Sequence, residues 1–258
     1  MPQLQTRTGI THYQLEGSAD APVLMFSNSL GSDLSMWDPQ LQMLTEHFRV
    51  LRYDTRGHGQ SEVSRGPYTI DQVGQDVVAL LDALGIQKIN FCGLSMGGLI
   101  GQWLGINHPG RLHKLVLSNT GAKIGQADKW NQRIATISAH GMASIVDETI
   151  ERWFTTPFIA ASPSAIAHVR AMFLANQVEG YTACCAVVRD ADFRNQLEQI
   201  SVPTLVIAGT HDPATTVADG EFLATHIPNA VLSVVPAAHL SNIEMGDLYS
   251  AKLLAFLG

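Results

Sequence analysis

One short stretch near the middle of the chain limits the possible folds more than any other. Residues 88–92 are apolar and follow Gly85, which predicts a buried strand, and residues 99–106 have helical character. Between them lies a Gly-x-Ser-x-Gly pattern centred on Ser95. A strand that turns sharply into a helix strains its turn residue and lifts that side chain out of the sheet. The stretch therefore predicts a strand–turn–helix unit that presents Ser95.

Strands and helices alternate along most of the chain. Apolar runs predict strands over residues 21–27, 48–53, 88–92, 113–119, 203–209 and 230–235. Helical spacing is found over residues 34–47, 68–84 and 244–257, and residues 4–16 predict an opening hairpin. This alternation is typical of an α/β fold with a mostly parallel sheet covered by helices on both faces. Ligands of such sheets bind at the carboxyl ends of the strands, so the loops around Leu30, Asp54 and Ser95 are expected to face one crevice.

The alternation stops in the second half of the chain. Between residues 121 and 195, strand-like runs give way to helical spacing, as at Trp130, Arg133, Ile134 and Ile137. We interpret residues 1–120 and 196–258 as the sheet domain and residues 121–195 as a helical cap inserted into it. The alternative is an ordinary run of helices that cover the sheet.

Two further polar residues follow predicted strands and suit the chemistry of a serine. A serine hydroxyl is a weak nucleophile and needs a base, which in turn needs a carboxylate to fix its tautomer. His239 follows the strand at 230–235 and Asp212 follows the strand at 203–209, so we expect them to be base and acid. Asp54 also ends a strand, but its loop and that of His58 are expected to be structural turns.

A tetrahedral intermediate on Ser95 requires two N–H donors. Met96 lies at the start of the helix that follows Ser95, where its backbone N–H is available. The loop after the strand at 21–27 is expected to supply the second donor, and Leu30 is its best-placed residue. The predicted oxyanion hole is therefore formed by Leu30 and Met96.

Charge and composition argue against several classes of partner. The formal net charge is −7 without a long run of either sign, which argues against nucleic acid or an anionic membrane as the main partner. Hydrophobic residues make up 46% and charged residues 15%, a globular balance. The first residues lack the apolar stretch of a secretory signal, and the three cysteines form neither a disulfide framework nor a zinc-ligand spacing. We expect a cytoplasmic protein without a metal.

Several motifs together resemble one family. The serine, aspartate and histidine occur in the chain order of the α/β-hydrolase superfamily. More narrowly, the chain is similar to the 3-oxoadipate enol-lactonases of bacterial aromatic degradation. The stretches that carry this similarity are 53–61, 66–70, 80–86, 91–98, 101–105, 205–210 and 237–242. Many relatives have His-Gly where this chain has Asn28-Ser29, and Ser29 restricts the backbone more than glycine does.

The resemblance implies a hydrolase for a five-membered enol-lactone that carries a carboxymethyl side chain. Ser95 would open the ring, water would release 3-oxoadipate, and no cofactor or metal would be needed. A small anionic substrate needs a local cation, for which the predicted cap offers Lys129, Arg133, Arg152, Arg170 and Arg189. We expect Arg133, three residues after Trp130 on one helical face, to bind the carboxylate, with Trp130 and Trp153 as aromatic walls.

Other functions on the same fold remain open from the sequence. A carboxylesterase, a carbon–carbon bond hydrolase and a cofactor-free perhydrolase would use the same three residues, and pocket shape would separate them. A non-catalytic ligand receptor that keeps the fold is a fourth alternative, which covalent labelling of Ser95 by a fluorophosphonate would test. The sequence leaves the oligomeric state open.

Overall fold

The computed structural model describes residues 2–258, and eight strands form one sheet in it. The strand order across the sheet is β1-β2-β4-β3-β5-β6-β7-β8. β2 is antiparallel to β1 and to β4, whereas all other neighbours are parallel. The strands are β1 (Gln3–Thr6), β2 (Gly9–Glu16), β3 (Val23–Ser27), β4 (Arg49–Tyr53), β5 (Ile89–Leu94), β6 (Leu112–Ser118), β7 (Thr204–Gly209) and β8 (Ala230–Val235). The predicted α/β fold with a mostly parallel sheet is confirmed.

Eleven α-helices are found in residues 2–258. Those that connect or cover the strands are α1 (Asp38–Leu44), α2 (Ile70–Ala83), α3 (Met96–Asn107), α9 (Val217–His226), α10 (Ser241–Glu244) and α11 (Gly246–Leu257). Those between β6 and β7 are α4 (Ala127–His140), α5 (Val146–Trp153), α6 (Thr156–Ala161), α7 (Pro163–Leu174) and α8 (Val178–Asp190). No helix among the described residues has the length and apolar character needed to cross a membrane.

The central strands are mostly apolar because helices cover both faces of the sheet. β5 and β7 are buried at every position. A parallel strand buried on both faces has no polar side to alternate with its apolar side, which explains the continuous apolar runs in the sequence. Because these strands are parallel, the carboxyl ends of β3, β5, β6, β7 and β8 lie at one edge of the sheet.

Two predicted helices differ from the structure. The helix expected over residues 34–47 is a short 3-10 turn, Leu34–Trp37, followed by α1, because Pro39 in the first turn of α1 favours a new helix start. The closing helix expected over residues 244–257 is divided at Met245, whose backbone (φ −127°, ψ 45°) is not helical. The short helix α10 is held separately, since Gln40 Nε2 donates to the carbonyl of Asn242 at 2.7 Å.

The helices α4–α8, residues 127–190, are here called the helical segment. No strand lies between β6 and β7 in the described chain. The segment approaches the loop after β3 closely: a Cβ on Gly31 would lie 2.9 Å from the rings of Phe173 and Tyr181. The predicted division into a sheet domain (1–120 and 196–258) and a cap (121–195) stays a prediction.

Candidate active site

Ser95 occupies a strained turn between β5 and α3. Its φ of 57° and ψ of −111° lie outside the conformations that most residues adopt. A Cβ on Gly93 would lie 2.0 Å from the carbonyl oxygen of Gly97, and a Cβ on Gly97 would lie 2.1 Å from that of Ser27. Only glycine permits these two approaches. The N–H of Ser95 donates to the backbone carbonyl of Ser118 at 3.0 Å, which also binds the turn to the neighbouring strand β6.

His239 and Asp212 form a buried pair. His239 Nδ1 lies 2.7 Å from Asp212 Oδ2, which assigns the Nδ1 proton to this hydrogen bond and leaves Nε2 free of it. The other Asp212 oxygen accepts from the N–H groups of Ala214 and Thr215 at 2.8 and 3.1 Å. Burial alone would raise the pKa of Asp212, but the His239 charge and hydrogen bonds from His239, Asn119 and Thr215 hold it at about 2. Asp212 is therefore an ionised partner for an imidazolium.

Sequence analysis missed Asn119. Its side-chain amide donates to Asp212 Oδ2 at 3.0 Å and to the carbonyl of Ala238 at 3.1 Å. It thus binds both the carboxylate and the backbone next to His239. A Cβ on Gly209 would lie 2.7 Å from the Ala238 carbonyl, so the end of β7 must also be glycine. The position of Asn119 directly after β6, at the edge where the other polar residues follow their strands, is the signal that could have identified it.

The loop after β3 is held from several sides beside Ser95. The N–H of Gly97 donates to the carbonyl of Asn28 at 3.0 Å. The N–H of Gly31 donates to His58 Nε2, and Asn176 Nδ2 donates to the Gly31 carbonyl, each at 2.9 Å. Leu30, the predicted donor, lies between these fixed points, and Met96 begins α3 directly after Ser95.

The loop after β3 is well anchored although this chain has Asn28-Ser29 where many similar sequences have His-Gly. Asn28 Nδ2 donates to the carbonyl of Tyr53 at 2.8 Å, and Asn28 Oδ1 accepts from Trp37 Nε1 at 2.9 Å. The Asn28 side chain therefore joins the loop to β4 and to the turn before α1.

A cavity of about 630 Å³ brings the sheet edge and the helical segment together. From the sheet side it is lined by Ser29, Leu30, Ser95, Pro213, Ala214 and His239. From the other side it is lined by residues that include Trp130, Arg133, Ile145, Arg152, Trp153 and Tyr181. The structure thus brings Ser95, His239, Leu30, Trp130, Arg133 and Trp153 to one cavity, with Asp212 behind His239.

Arg133 faces this cavity without a carboxylate within ion-pair distance among the described residues. Its Nε donates to the hydroxyl of Tyr181 at 2.9 Å, and its Nη2 donates to Thr149 Oγ1 at 3.0 Å. The guanidinium lies 5.7 Å from the centre of the Tyr181 ring. Trp130 instead donates its Nε1 to the carbonyl of Ile124. Trp130 and Arg133 line the same cavity, but the aromatic ring that Arg133 contacts is that of Tyr181, because α4 packs against α8.

A second arginine lines the cavity. Arg152 lies 3.7 Å from Glu148, an exposed carboxylate one helical turn before it. Burial and the neighbouring charge of Arg133 both lower the pKa of Arg152. Arg133 and Arg152 line the same cavity. Arg170 and Arg189 pair with Asp147 and Asp190 at 2.6 and 2.7 Å and do not line the cavity.

Asp54 and His58 have structural partners. Asp54 accepts from His12 Nδ1 at 2.6 Å and from the N–H groups of Leu34 and Gln60 at 2.8 Å. Burial raises the pKa of Asp54. These contacts support the expectation that the loop after β4 is a structural turn.

Known proteins resemble this chain over nearly its whole length. The family model of the alpha/beta hydrolase fold matches residues 22–156. The chain is 47% identical over 246 residues to 3-oxoadipate enol-lactonase 2 of Acinetobacter baylyi, which covers 95% of this chain and 92% of that protein. The crystal structure of the enol-lactonase from Burkholderia xenovorans LB400 superposes with a TM-score of 0.98 and 44% identity over 99% of both chains. A thermophilic esterase from Thermogutta terrifontis gives a TM-score of 0.92 and 27% identity, over 99% of this chain and 97% of its own.

These similarities agree with the geometry of the site. The family model covers the elbow at Ser95, and the two enol-lactonases match the sheet and the helical segment together. The chain therefore belongs to the α/β-hydrolase family, in the group that contains the 3-oxoadipate enol-lactonases.

Proposed function

We propose that this protein opens the ring of 3-oxoadipate enol-lactone to give 3-oxoadipate, a step in the degradation of protocatechuate and catechol. The observation that carries the proposal is a single cavity that holds Ser95, His239 and an arginine, Arg133, without a carboxylate partner. A small lactone with a carboxylate needs these groups together. The similarity to enol-lactonases over 95% of the chain supports the same substrate.

In the proposed mechanism Ser95 Oγ attacks the lactone carbonyl while His239 Nε2 takes the hydroxyl proton. Asp212 stabilises the imidazolium that results. The N–H groups of Leu30 and Met96 stabilise the oxyanion. The acyl C–O bond of the ring then breaks, and the leaving enolate oxygen takes the proton from His239 Nε2, which returns His239 to its neutral form. Loss of an enolate is easier than loss of an alkoxide. Water, activated by His239, hydrolyses the acyl-enzyme, and the released enol relaxes to the ketone.

Arg133 is proposed to bind the substrate carboxylate, and Arg152 adds positive charge to the same cavity. A protein with net charge −7 does not attract an anion at long range. The positive charge in the cavity must therefore bind the substrate carboxylate locally. Arg133 is already oriented by Tyr181 and Thr149, which reduces the entropy lost when it binds a ligand. Trp130 and Trp153 are proposed as apolar walls for the ring.

The helical segment is proposed to act as a cap over the carboxyl ends of the strands, with boundaries near residues 121 and 195. The wall that it contributes to the cavity supports this role. The substrate is a free small molecule, and we propose that the protein works on it in the cytoplasm, without nucleic acid, membrane or metal.

A carboxylesterase is the second candidate, since the Thermogutta terrifontis esterase shares the fold at 27% identity. Ring opening of the enol-lactone, followed by the loss of its ultraviolet absorption, and cleavage of p-nitrophenyl acetate separate the two. An enol-lactonase gives a kcat/KM for the lactone far above that for the acetate. An esterase cleaves the acetate through Ser95 and leaves the lactone intact, and that result would refute the proposed substrate.

A further inference from the structure

The residues on both sides of His239 are bound by groups outside their own loop. The N–H of Ala238 donates to Glu244 Oε2 at 2.9 Å. The N–H of Leu240 donates to the carbonyl of Trp153 at 3.1 Å. Trp153 is the last residue of α5, in the helical segment, whereas Glu244 ends α10. The backbone that carries His239 is thus fixed at both neighbours.

Glu244 also binds the helical segment with its second oxygen. Glu244 Oε1 accepts from the backbone N–H of Thr155 at 3.3 Å and from the Thr155 hydroxyl. The same hydroxyl accepts from the N–H of Phe158 and so caps α6. One half-buried carboxylate therefore joins the His239 loop to the turn between α5 and α6, with each of its oxygens in use.

The turn held by Glu244 follows directly on cavity-lining residues. Arg152 and Trp153, at the end of α5, face the cavity of Ser95, and Thr155 is two residues further on. Glu244 itself is not among the residues that line that cavity. It can therefore affect the reaction only through the groups it holds, which are the His239 loop and the end of α5.

We propose that Glu244 is a positioning residue for His239, an inference that rests on the proposed function. A general base must lie within hydrogen-bond distance of the proton that it takes. A displacement of about 1 Å can lower the rate about a hundredfold. Glu244 prevents this displacement by binding the Ala238 N–H and tying it to Thr155. Its loss lowers kcat for every substrate that Ser95 attacks. KM for p-nitrophenyl acetate, which has no carboxylate for the arginines to bind, stays nearly unchanged.

The test compares four variants on the lactone and on p-nitrophenyl acetate. Glu244→Ala removes both connections, and we expect kcat to fall about tenfold to a hundredfold on both substrates, with KM for p-nitrophenyl acetate within about twofold. Thr155→Ala leaves the backbone N–H of Thr155 bound, so a loss of about threefold is expected. Thr155→Ser keeps the hydroxyl and restores the wild-type kcat. Glu151→Ala, at an exposed position on α5, is the matched control and keeps full activity.

Labelling of Ser95 by a fluorophosphonate separates the outcomes. If the proposal holds, the labelling rate falls in the same ratio as kcat in Glu244→Ala. A folded Glu244→Ala protein with wild-type kcat and labelling overturns the positioning role. If that variant does not fold, equal kcat values for Thr155→Ala and the wild type overturn it. Failure of the wild type to be labelled at Ser95 would instead refute the proposed function.

Discussion

Two histidines near the cavity have opposite uses because their nitrogens have different partners. His239 donates from Nδ1 to Asp212, which leaves Nε2 free of that hydrogen bond for its proposed role as the base. His58 accepts the Gly31 N–H on Nε2 and directs Nδ1 toward the Arg56 carbonyl at 3.4 Å. The sequence predicted that His58 is structural, but not that it binds Gly31. That contact joins residues 27 apart on different loops, and no local pattern reports it.

The free energy of unfolding of this protein is expected to depend on pH because His58 stays neutral when it is buried. Burial lowers the pKa of His58 from 6.5 to about 4. Below pH 6.5 the unfolded chain takes up a proton at this residue while the folded protein does not, so stability falls as the pH drops from 6.5 to 4, by up to about 3 kcal/mol. Above pH 6.5 His58 is neutral in both the folded and the unfolded protein, so it adds no pH dependence to the free energy of unfolding.

Urea unfolding between pH 4.5 and 7.5 measures this effect. His58→Gln keeps an acceptor for the Gly31 N–H but does not titrate, so its free energy of unfolding should fall less than that of the wild type over this range. Asp212 has a pKa of about 2, so it makes the free energy of unfolding depend on pH only below the pKa of an unfolded aspartate. It therefore does not affect the comparison between pH 4.5 and 7.5. Equal pH dependence in the two proteins would show that His58 is not the group responsible.

Arg133 is expected to recognise charge and not to take part in the chemistry. Arg133→Ala should raise KM for the carboxylated lactone about tenfold to a hundredfold, the equivalent of a lost charged hydrogen bond, and leave KM for p-nitrophenyl acetate nearly unchanged. Arg170→Ala is the control, since Arg170 pairs with Asp147 and does not line the cavity. Equal effects of Arg133→Ala on both substrates would remove Arg133 from the carboxylate site.

At the scale of elements, the parts that the sequence predicted are those encoded by neighbouring residues. The strand, Ser95 turn and helix at residues 89–107 were recognisable because glycine spacing and apolar periodicity lie within one short stretch. The aromatic partner of Arg133 was not, because Tyr181 comes from α8, 48 residues away. Its placement depends on how α4 packs against α8, which periodicity does not encode.

The junction of β3 with α3 leaves no space for a side chain at Gly97. A Cβ on Gly97 would lie 2.1 Å from the Ser27 carbonyl, whereas a Cβ on Gly110 would meet nothing within 4 Å. Gly97→Ala should therefore reduce the free energy of unfolding by about 1–3 kcal/mol or more and reduce activity, because it displaces the turn at Ser95. Gly110→Ala is the matched control in thermal unfolding. Similar melting temperatures for the two variants would contradict the close approach of helix and strand.

At the scale of the whole molecule, the sheet edge supplies the proposed reacting groups and the helical segment supplies the groups proposed for recognition. Ser95, His239 and Asp212 come from three loops that follow parallel strands, so the predicted topology was enough to bring them together. The proposed recognition uses Arg133 and Arg152, and these residues meet Tyr181 in one cavity only because the helices pack together. The sequence therefore predicted the reaction more completely than the binding site.

Turnover of 3-oxoadipate enol-lactone by the wild type and by Ser95→Ala, followed side by side through the loss of ultraviolet absorption, tests the central claim most directly. We expect rapid ring opening by the wild type and a fall in kcat of at least about a thousandfold in the variant, because the variant lacks the hydroxyl that is proposed to form the acyl-enzyme. Circular dichroism should show that the variant is folded. A folded Ser95→Ala protein that opens the lactone at the wild-type rate, or a wild type that leaves it intact, would contradict the account.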